Sequence, residues 1–308
     1  MTAIILAFLP VFIVILAGFA LKWSGLIQER HWASVDHVCY FVLFPTIIFK
    51  EIAAADFSAV PVWRMAAAMM LALCTMFAGL LASRRLISVA MMLDGPRYSS
   101  LFQGATRWHT FIAFAIIPLV FGKDALAFGA VSAAAMTPLL NVANVAVVSV
   151  CATGHTPSPA KLTQAILRNP FFLSSVAGVL YQITRLPFPA TAAVTLDMLG
   201  RGALGLALMT AGAGLRLSEA AATKAPIALA TVLKLLVMPV LMSAWLKLLG
   251  VAGTPAAVAI LCAAVPTGAG AYVLARRMGG DAPLVASIIT FQVICAAATI
   301  PLILAYLA

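Results

Sequence analysis

Charge is what this sequence has least of. Only 9% of its 308 residues are Asp, Glu, Lys or Arg, and only nine are acidic. A water-soluble domain carries about 25% charged residues. With 64% apolar residues and a mean hydropathy of +1.11, the chain cannot cover a globule with polar surface and must face lipid. Enzyme signatures are missing as well. There is no HExxH, no GxSxG and no P-loop, and so few acids leave little for proton-abstracting or metal chemistry. No enzyme, cofactor or metal site is expected. The five cysteines, Cys39, Cys74, Cys151, Cys262 and Cys295, each lie inside an apolar run and form no CxxC pair. They read as small core residues. The N-terminus lacks a charged region before its apolar stretch and an A-x-A cleavage site, so it reads as a first span and not as a removed signal. The longest connection, residues 84–99, is too short for a soluble output domain.

What is present is a succession of ten apolar segments, at 3–22, 33–53, 62–83, 100–121, 125–151, 164–184, 191–215, 225–249, 255–276 and 281–307. Each approaches the roughly 20 residues that cross a bilayer as a helix. The loop charges alternate with them. Lys22, Arg30, Arg84, Arg85, Arg97, Lys161, Arg168, Arg216, Lys224, Arg276 and Arg277 fall in one set of loops, and Lys50, Arg64, Lys123, Arg185 and Lys247 in the other. Eleven against five places the first set in the cytoplasm and both termini outside, in the plasma membrane. The net charge of +10 is thereby accounted for by the bilayer, and nucleic acid is not expected as a partner.

Two halves share a pattern. Pro10 and Gly18 in the first segment and Pro170 and Gly178 in the sixth both read Pro, seven residues, Gly. The same offset of 160 carries Pro45 onto Gly205 and Thr106 onto Pro266. The expected fold is an all-α polytopic membrane protein of ten helices in two five-helix repeats, 1–152 and 153–308. Five is odd, so the repeats are inverted, as in many secondary transporters.

Polar groups at membrane depth mark the candidate site. Segment nine contains Pro266, Thr267, Gly268 and Gly270, a combination that unwinds a helix. Unwound backbone at that depth lines a cavity or is covered by protein, and the half-helix N-terminus left behind suits an anion. Segment four contains Arg107 and His109, intramembrane ionisable groups that are functional candidates by default. Arg107 suits a carboxylate and also reads as an interfacial snorkelling residue. His109 suits hydrogen bonding or proton transfer. Asn141 and Asn144 share a face of segment five, and Gln292 lies alone in segment ten. Lys234 reads as a structural partner of a backbone carbonyl or an acid. Asp197 and Arg201, four apart, are expected to pair.

Several segments together resemble the auxin efflux carrier family over essentially the whole chain. They are Arg168-Asn-Pro170 with Gly178, Leu199 to Leu208 closing on Gly212 to Leu215, Lys234 to Pro239, Ala264 to Gly268 with Leu274 to Asp281, Phe44-Pro-Thr46, and Phe121-Gly122. That family includes plant auxin exporters and bacterial carriers of malonate, malate and related acids, and resembles bile-acid sodium symporters in architecture. The resemblance implies ten helices in two inverted repeats, with broken helices four and nine crossing at the centre. It further implies a substrate carboxylate near that crossover, and a homodimer. His109 stands where the family usually has Asn. Ala271 stands at the span-nine crossover-proline position, and segment four has no Pro before Pro118. A titratable His there points to proton coupling or to a more highly charged anion. The coupling ion is a proton, sodium or none. The expected function is a secondary carrier of small organic anions, with a non-transporting sensor or assembly subunit as the alternative.

Overall fold

Apolar segments in lipid have no water to satisfy their backbone, so each must close its own hydrogen bonds, and helices do so. The computed structural model describes residues 2–55, 62–184, 186–215 and 224–307. It is 85% helix, with no strand among these residues. In chain order the helices are α1 (Thr2–Trp23), α2 (Glu29–Val38), α3 (Phe44–Ala54), α4 (Val62–Ala82), α5 (Arg84–Ala90), α6 (Gly95–Thr106), α7 (Thr110–Phe121), α8 (Leu126–Val148), α9 (Pro159–Leu167), α10 (Pro170–Thr184), α11 (Ala190–Ala213), α12 (Lys224–Val232), α13 (Met238–Leu248), α14 (Thr254–Ala264), α15 (Gly270–Met278) and α16 (Ala282–Leu307). Among the described residues, seven helical stretches are long and apolar enough to cross a membrane: Arg30–Ala54, Val62–Ala82, Gly95–Phe121, Lys123–Ala152, Ala190–Ala213, Lys224–Leu248 and Ala282–Leu307. Three shorter apolar helices, Leu9–Trp23, Pro170–Thr184 and Thr254–Ala264, accompany them. The ten expected segments lie on these helices.

Prolines explain two of the irregular turns. A π turn at Cys39–Leu43 joins α2 to α3, and another at Leu233–Val237 joins α12 to α13. Pro45 and Pro239 follow them and have no N–H to offer the carbonyls four residues back, so the helix widens there instead of breaking. Asp94 caps α6, its carboxylate accepting from the Arg97 backbone N–H at 2.9 Å.

Helices meet through glycine. A Cβ built on Gly18 of α1 would lie 2.0 Å from the Met209 carbonyl oxygen of α11, and one on Gly212 of α11 would lie 1.7 Å from the Ile15 carbonyl oxygen of α1. On the other side of the molecule, a Cβ on Gly178 of α10 would lie 3.0 Å from the Phe49 carbonyl oxygen of α3. An offset of 160 residues carries the Gly18–Met209 contact onto the Gly178–Phe49 contact. In lipid such small-residue contacts hold helices together by close packing. Gly212→Val therefore forces the α1 and α11 backbones apart. The expected cost is about 3 kcal/mol or more, read as a lowered thermal midpoint in detergent. Gly205→Ala on the same helix, with nothing within 4 Å of the new Cβ, should leave the midpoint unchanged.

Two buried or half-buried charges find tertiary partners. Lys234 is fully buried and donates from Nζ to the Ala263 carbonyl at 2.9 Å. It thus serves a carbonyl at the C-terminal, partially negative end of α14. Asp197 accepts a hydrogen bond from Lys50 of α3, which the side-by-side packing of α3 and α11 brings across; its expected partner Arg201 has a side chain outside the described residues. The Lys161 side chain, like Arg185 and Arg216, lies outside them as well.

Candidate functional site

Two helices are interrupted at the same depth. α6 ends at Thr106 and α7 starts at Thr110, and α14 ends at Ala264 and α15 starts at Gly270. The second break has a local cause. Val265 precedes Pro266 and is extended, with φ −67° and ψ 150°, as the proline ring requires of its predecessor. The first break has no proline or glycine. Arg107 turns extended there, with φ −68° and ψ 156°.

The breaks touch each other. A Cβ on Gly268 would lie 2.8 Å from the Trp108 carbonyl oxygen and 3.5 Å from the His109 Cα, and one on Gly270 would lie 3.3 Å from Arg107 Nη1. Only glycine lets these two backbones approach so closely. Hydrogen bonds tie the crossing. Thr267 Oγ1 donates to the Gly104 carbonyl at 2.8 Å. Gln292 of α16, fully buried, accepts from the Thr267 backbone N–H at 2.8 Å through Oε1. Its Nε2 donates to the Gly104 carbonyl at 2.8 Å and to the Ala230 carbonyl at 3.2 Å. On the opposite side Thr106 Oγ1 reaches Asn144 Oδ1 at 3.4 Å, and Asn144 Nδ2 donates to the Leu140 carbonyl at 2.7 Å.

A cavity of about 120 Å³ opens at the crossing, with Arg107, His109, Thr110, Thr137, Asn141 and Gly270 among its lining residues. Arg107 donates from Nη2 to Asn141 Oδ1 at 3.4 Å. Three buried polar atoms of the lining have no protein partner: Arg107 Nε, His109 Nε2 and Thr137 Oγ1. Buried polar groups left without a partner are costly, and all three belong to residues that line this one cavity. Thr110 and Gly270 bring the N-termini of α7 and α15 to the same cavity. The first amide groups of a helix have no partner within it and carry a partial positive charge. At α15 the Ala271 and Tyr272 N–H groups already donate to the Gly268 and Ala269 carbonyls at 3.0 Å each. The positive features of the lining are therefore the Arg107 guanidinium, the α7 N-terminus and the Gly270 end of α15, a combination chemically suited to an anion.

A second, larger cavity of about 740 Å³ lies against the first and shares Asp36, His109 and Ala269 with it. Lys22, Arg30, His37, Arg276 and Arg277 line it. It forms a cationic vestibule on the side carrying the loops rich in Lys and Arg.

Of the residues selected from sequence, Arg107, His109, Asn141, Gly268 and Gly270 line the small cavity, while Asn144, Pro266, Thr267 and Gln292 lie behind it in the crossing. Lining residues not selected include Asp36, Tyr40, Thr137 and Phe171. Asp36 carried a usable signal, a carboxylate inside an apolar segment. Tyr40 and Phe171 are aromatics in apolar runs and carried none.

Residues 156–304 match the family model for a membrane transport protein, the domain of the auxin efflux carrier family. The match takes in α9 to α15 and most of α16, and so the break at Gly268 and Gly270 and the strut Gln292. Arg107, His109 and Asn141 lie before it. A search of curated proteins finds no match to the chain.

Proposed function

We propose, from the premise that this chain carries the membrane-transporter domain of the auxin efflux carrier family, that it is a secondary carrier of small organic anions. Mono- and dicarboxylates such as malonate and malate, or auxin-like carboxylates, are its substrates. The observation that carries this reading is the unpartnered set of Arg107 Nε, His109 Nε2 and Thr137 Oγ1 around one cavity at the helix crossing. The Arg107 fork takes the carboxylate, and Asn141, Thr137 and the Gly270 N–H take its remaining lone pairs. The cavity of about 120 Å³ suits a molecule of a few carbon atoms.

Transport proceeds by alternating access, with one part of the bundle rocking against the other around the fixed crossing. The equivalence of the Gly18–Met209 and Gly178–Phe49 contacts supports two five-helix repeats of inverted orientation. The protein works as a homodimer in the bacterial inner membrane with both termini outside. No nucleotide-binding motif is present in the sequence, so the driving force is an ion gradient or the membrane potential. An anion leaving an inside-negative cell gains about 2.3 kcal/mol per charge per 100 mV.

The test is reconstitution in liposomes and recording of solid-supported-membrane currents with malonate, malate, succinate, lactate, pyruvate and indole-3-acetate, each with and without a pH step. A saturable current for one carboxylate, lost when Asn141 and His109 are both changed to Ala, is the expected result. Silence in current, radiolabelled uptake and ligand-induced thermal shift across the panel overturns the carrier reading and promotes a membrane sensor on the same fold.

A further inference from the structure

We infer that Arg276 and Arg277 make the vestibule an electrostatic antechamber, which draws organic anions toward the small cavity and draws dianions more strongly than monoanions. The inference rests on the carrier reading above. It adds the favoured substrate class, doubly charged acids such as malonate and malate.

Arg276 and Arg277 lie in the last turn of α15, Arg30 in the first turn of α2 and Lys22 in the last turn of α1. Cations from three separate elements thus line one cavity of about 740 Å³. Among the described residues its one carboxylate is Asp36, at the inner end where vestibule and small cavity share their walls. Arg276 and Arg277 are exposed, and neither forms an ion pair among the described residues. Stability therefore does not account for them. Membrane topology accounts for basic residues in this loop, but does not require them to face a cavity. They do not belong to the anion's seat either, since Arg107 is the only Lys or Arg of the described residues that lines the small cavity.

Helix α15 sets the distance over which they act. Gly270 lines the small cavity, and Arg276 and Arg277 follow it on the same helix, about 9–10 Å along the axis at about 1.5 Å per residue. Side chains of a helix lean toward its N-terminus, so both arginines start back toward the crossing. A unit charge about 10 Å away multiplies the local concentration of a monoanion about twofold in water, and that distance is about the Debye length at 0.1 M salt. Two arginines give about fourfold for a monoanion and the square of it, about 15-fold, for a dianion. A cleft lined by one sign of charge between walls of low polarity focuses this field. Arg30 and Lys22 add to the pull, and the Asp36 carboxylate opposes it at the inner end.

The experiment is stopped-flow mixing of the purified full-length protein, in neutral detergent near neutral pH, with malonate as the dianion and pyruvate as the monoanion. Intrinsic fluorescence follows binding, since Trp108 lines the small cavity, and calorimetry supplies the affinities. Association rates are measured from about 20 mM to about 500 mM salt, which takes the Debye length from well above to well below the distance along α15. In the wild type both rates should fall with salt, malonate by about the square of the pyruvate factor. Changing Arg276→Gln and Arg277→Gln together should lower the low-salt rate about 15-fold for malonate and about fourfold for pyruvate. Dissociation rates and high-salt affinities should stay as in the wild type, because Arg107 still seats the anion. Arg276→Lys with Arg277→Lys should keep the wild-type rates, since charge acts here and not the guanidinium fork. Wild-type rates in the Gln pair, equal losses for the two acids, or a Lys pair as slow as the Gln pair each overturns the inference and leaves the carrier reading standing. So does binding of pyruvate without malonate. Should malonate alone bind, its rates in the three proteins decide. Should the Gln pair not fold, the wild-type salt dependence decides, and a factor shared by the two acids overturns the inference. Absence of binding for both acids by calorimetry, with the liposome panel also silent, overturns both readings at once.

Discussion

Arg107→Gln should remove organic-anion binding while leaving the protein folded. Hydrogen bonds from a charged donor contribute about 1.5–3 kcal/mol each, and a guanidinium meets a carboxylate with two of them. The expected loss is about 100-fold or more in affinity. Arg107→Lys keeps the charge and loses the fork, and should lose about tenfold. Stability should behave differently from affinity. Arg107 is half-buried, its Nε has no partner among the described residues, and its side-chain hydrogen bond to Asn141 is long at 3.4 Å. Gln removes an incompletely satisfied, half-buried cation, so the thermal midpoint of the empty protein should hold or rise. Calorimetric affinity and thermal midpoint, measured on the same preparation, check both halves. Retention of wild-type affinity by Arg107→Gln would remove the anion site from the crossing altogether.

How much of this site was legible depended on whether its cause was local. The break at Val265–Ala269 could be read from Pro266, Gly268 and Gly270, because proline and glycine act on the backbone next to them. The break at Arg107–His109 has no such residue and showed only indirectly, through the expense of placing an arginine and a histidine inside an apolar segment. Asp36 satisfied the same criterion but drew no attention, since neither neighbour in sequence hinted at a cavity. Tyr40, Thr137 and Phe171 reach the cavity because three separate helices converge there, which no local pattern encodes. The same contrast applies to Asp197. The packing of α3 on α11 gives it Lys50 as a partner, 147 residues away, which no helical spacing announces. Gly18 and Gly178 share a Pro, seven residues, Gly spacing in sequence, and only the structure shows each packed against a neighbouring helix, at Met209 and at Phe49.

Gln292 was visible as a lone amide in an apolar helix, but its importance lies in partners far along the chain, at Gly104, Ala230 and Thr267. Gln292→Leu should therefore be among the most damaging substitutions in the molecule, although its side chain lies outside the cavity lining. Leucine has similar bulk and offers neither donor nor acceptor. The Thr267 backbone N–H loses its acceptor in a fully buried position, and the Gly104 and Ala230 carbonyls each lose a donor. An orphaned buried group costs about 1–3 kcal/mol, and the sum here is about 2–5 kcal/mol. Thr267→Val should cost less, about 1 kcal/mol, because Gln292 Nε2 still reaches Gly104. The two substitutions should not add, since both act on the Gly104 carbonyl. Function should fail with stability. Gln292 bonds both breaks and so holds Gly268 against Trp108 and Gly270 near Arg107, and without it the donors around the anion lose their common focus. Thermal midpoints of the two single variants and the double variant, with pyruvate affinity beside them, test this. Arg107→Gln should be stable and unable to bind, whereas Gln292→Leu should be unstable and bind weakly. A Gln292→Leu protein with a wild-type midpoint would show that the crossing is held by packing alone.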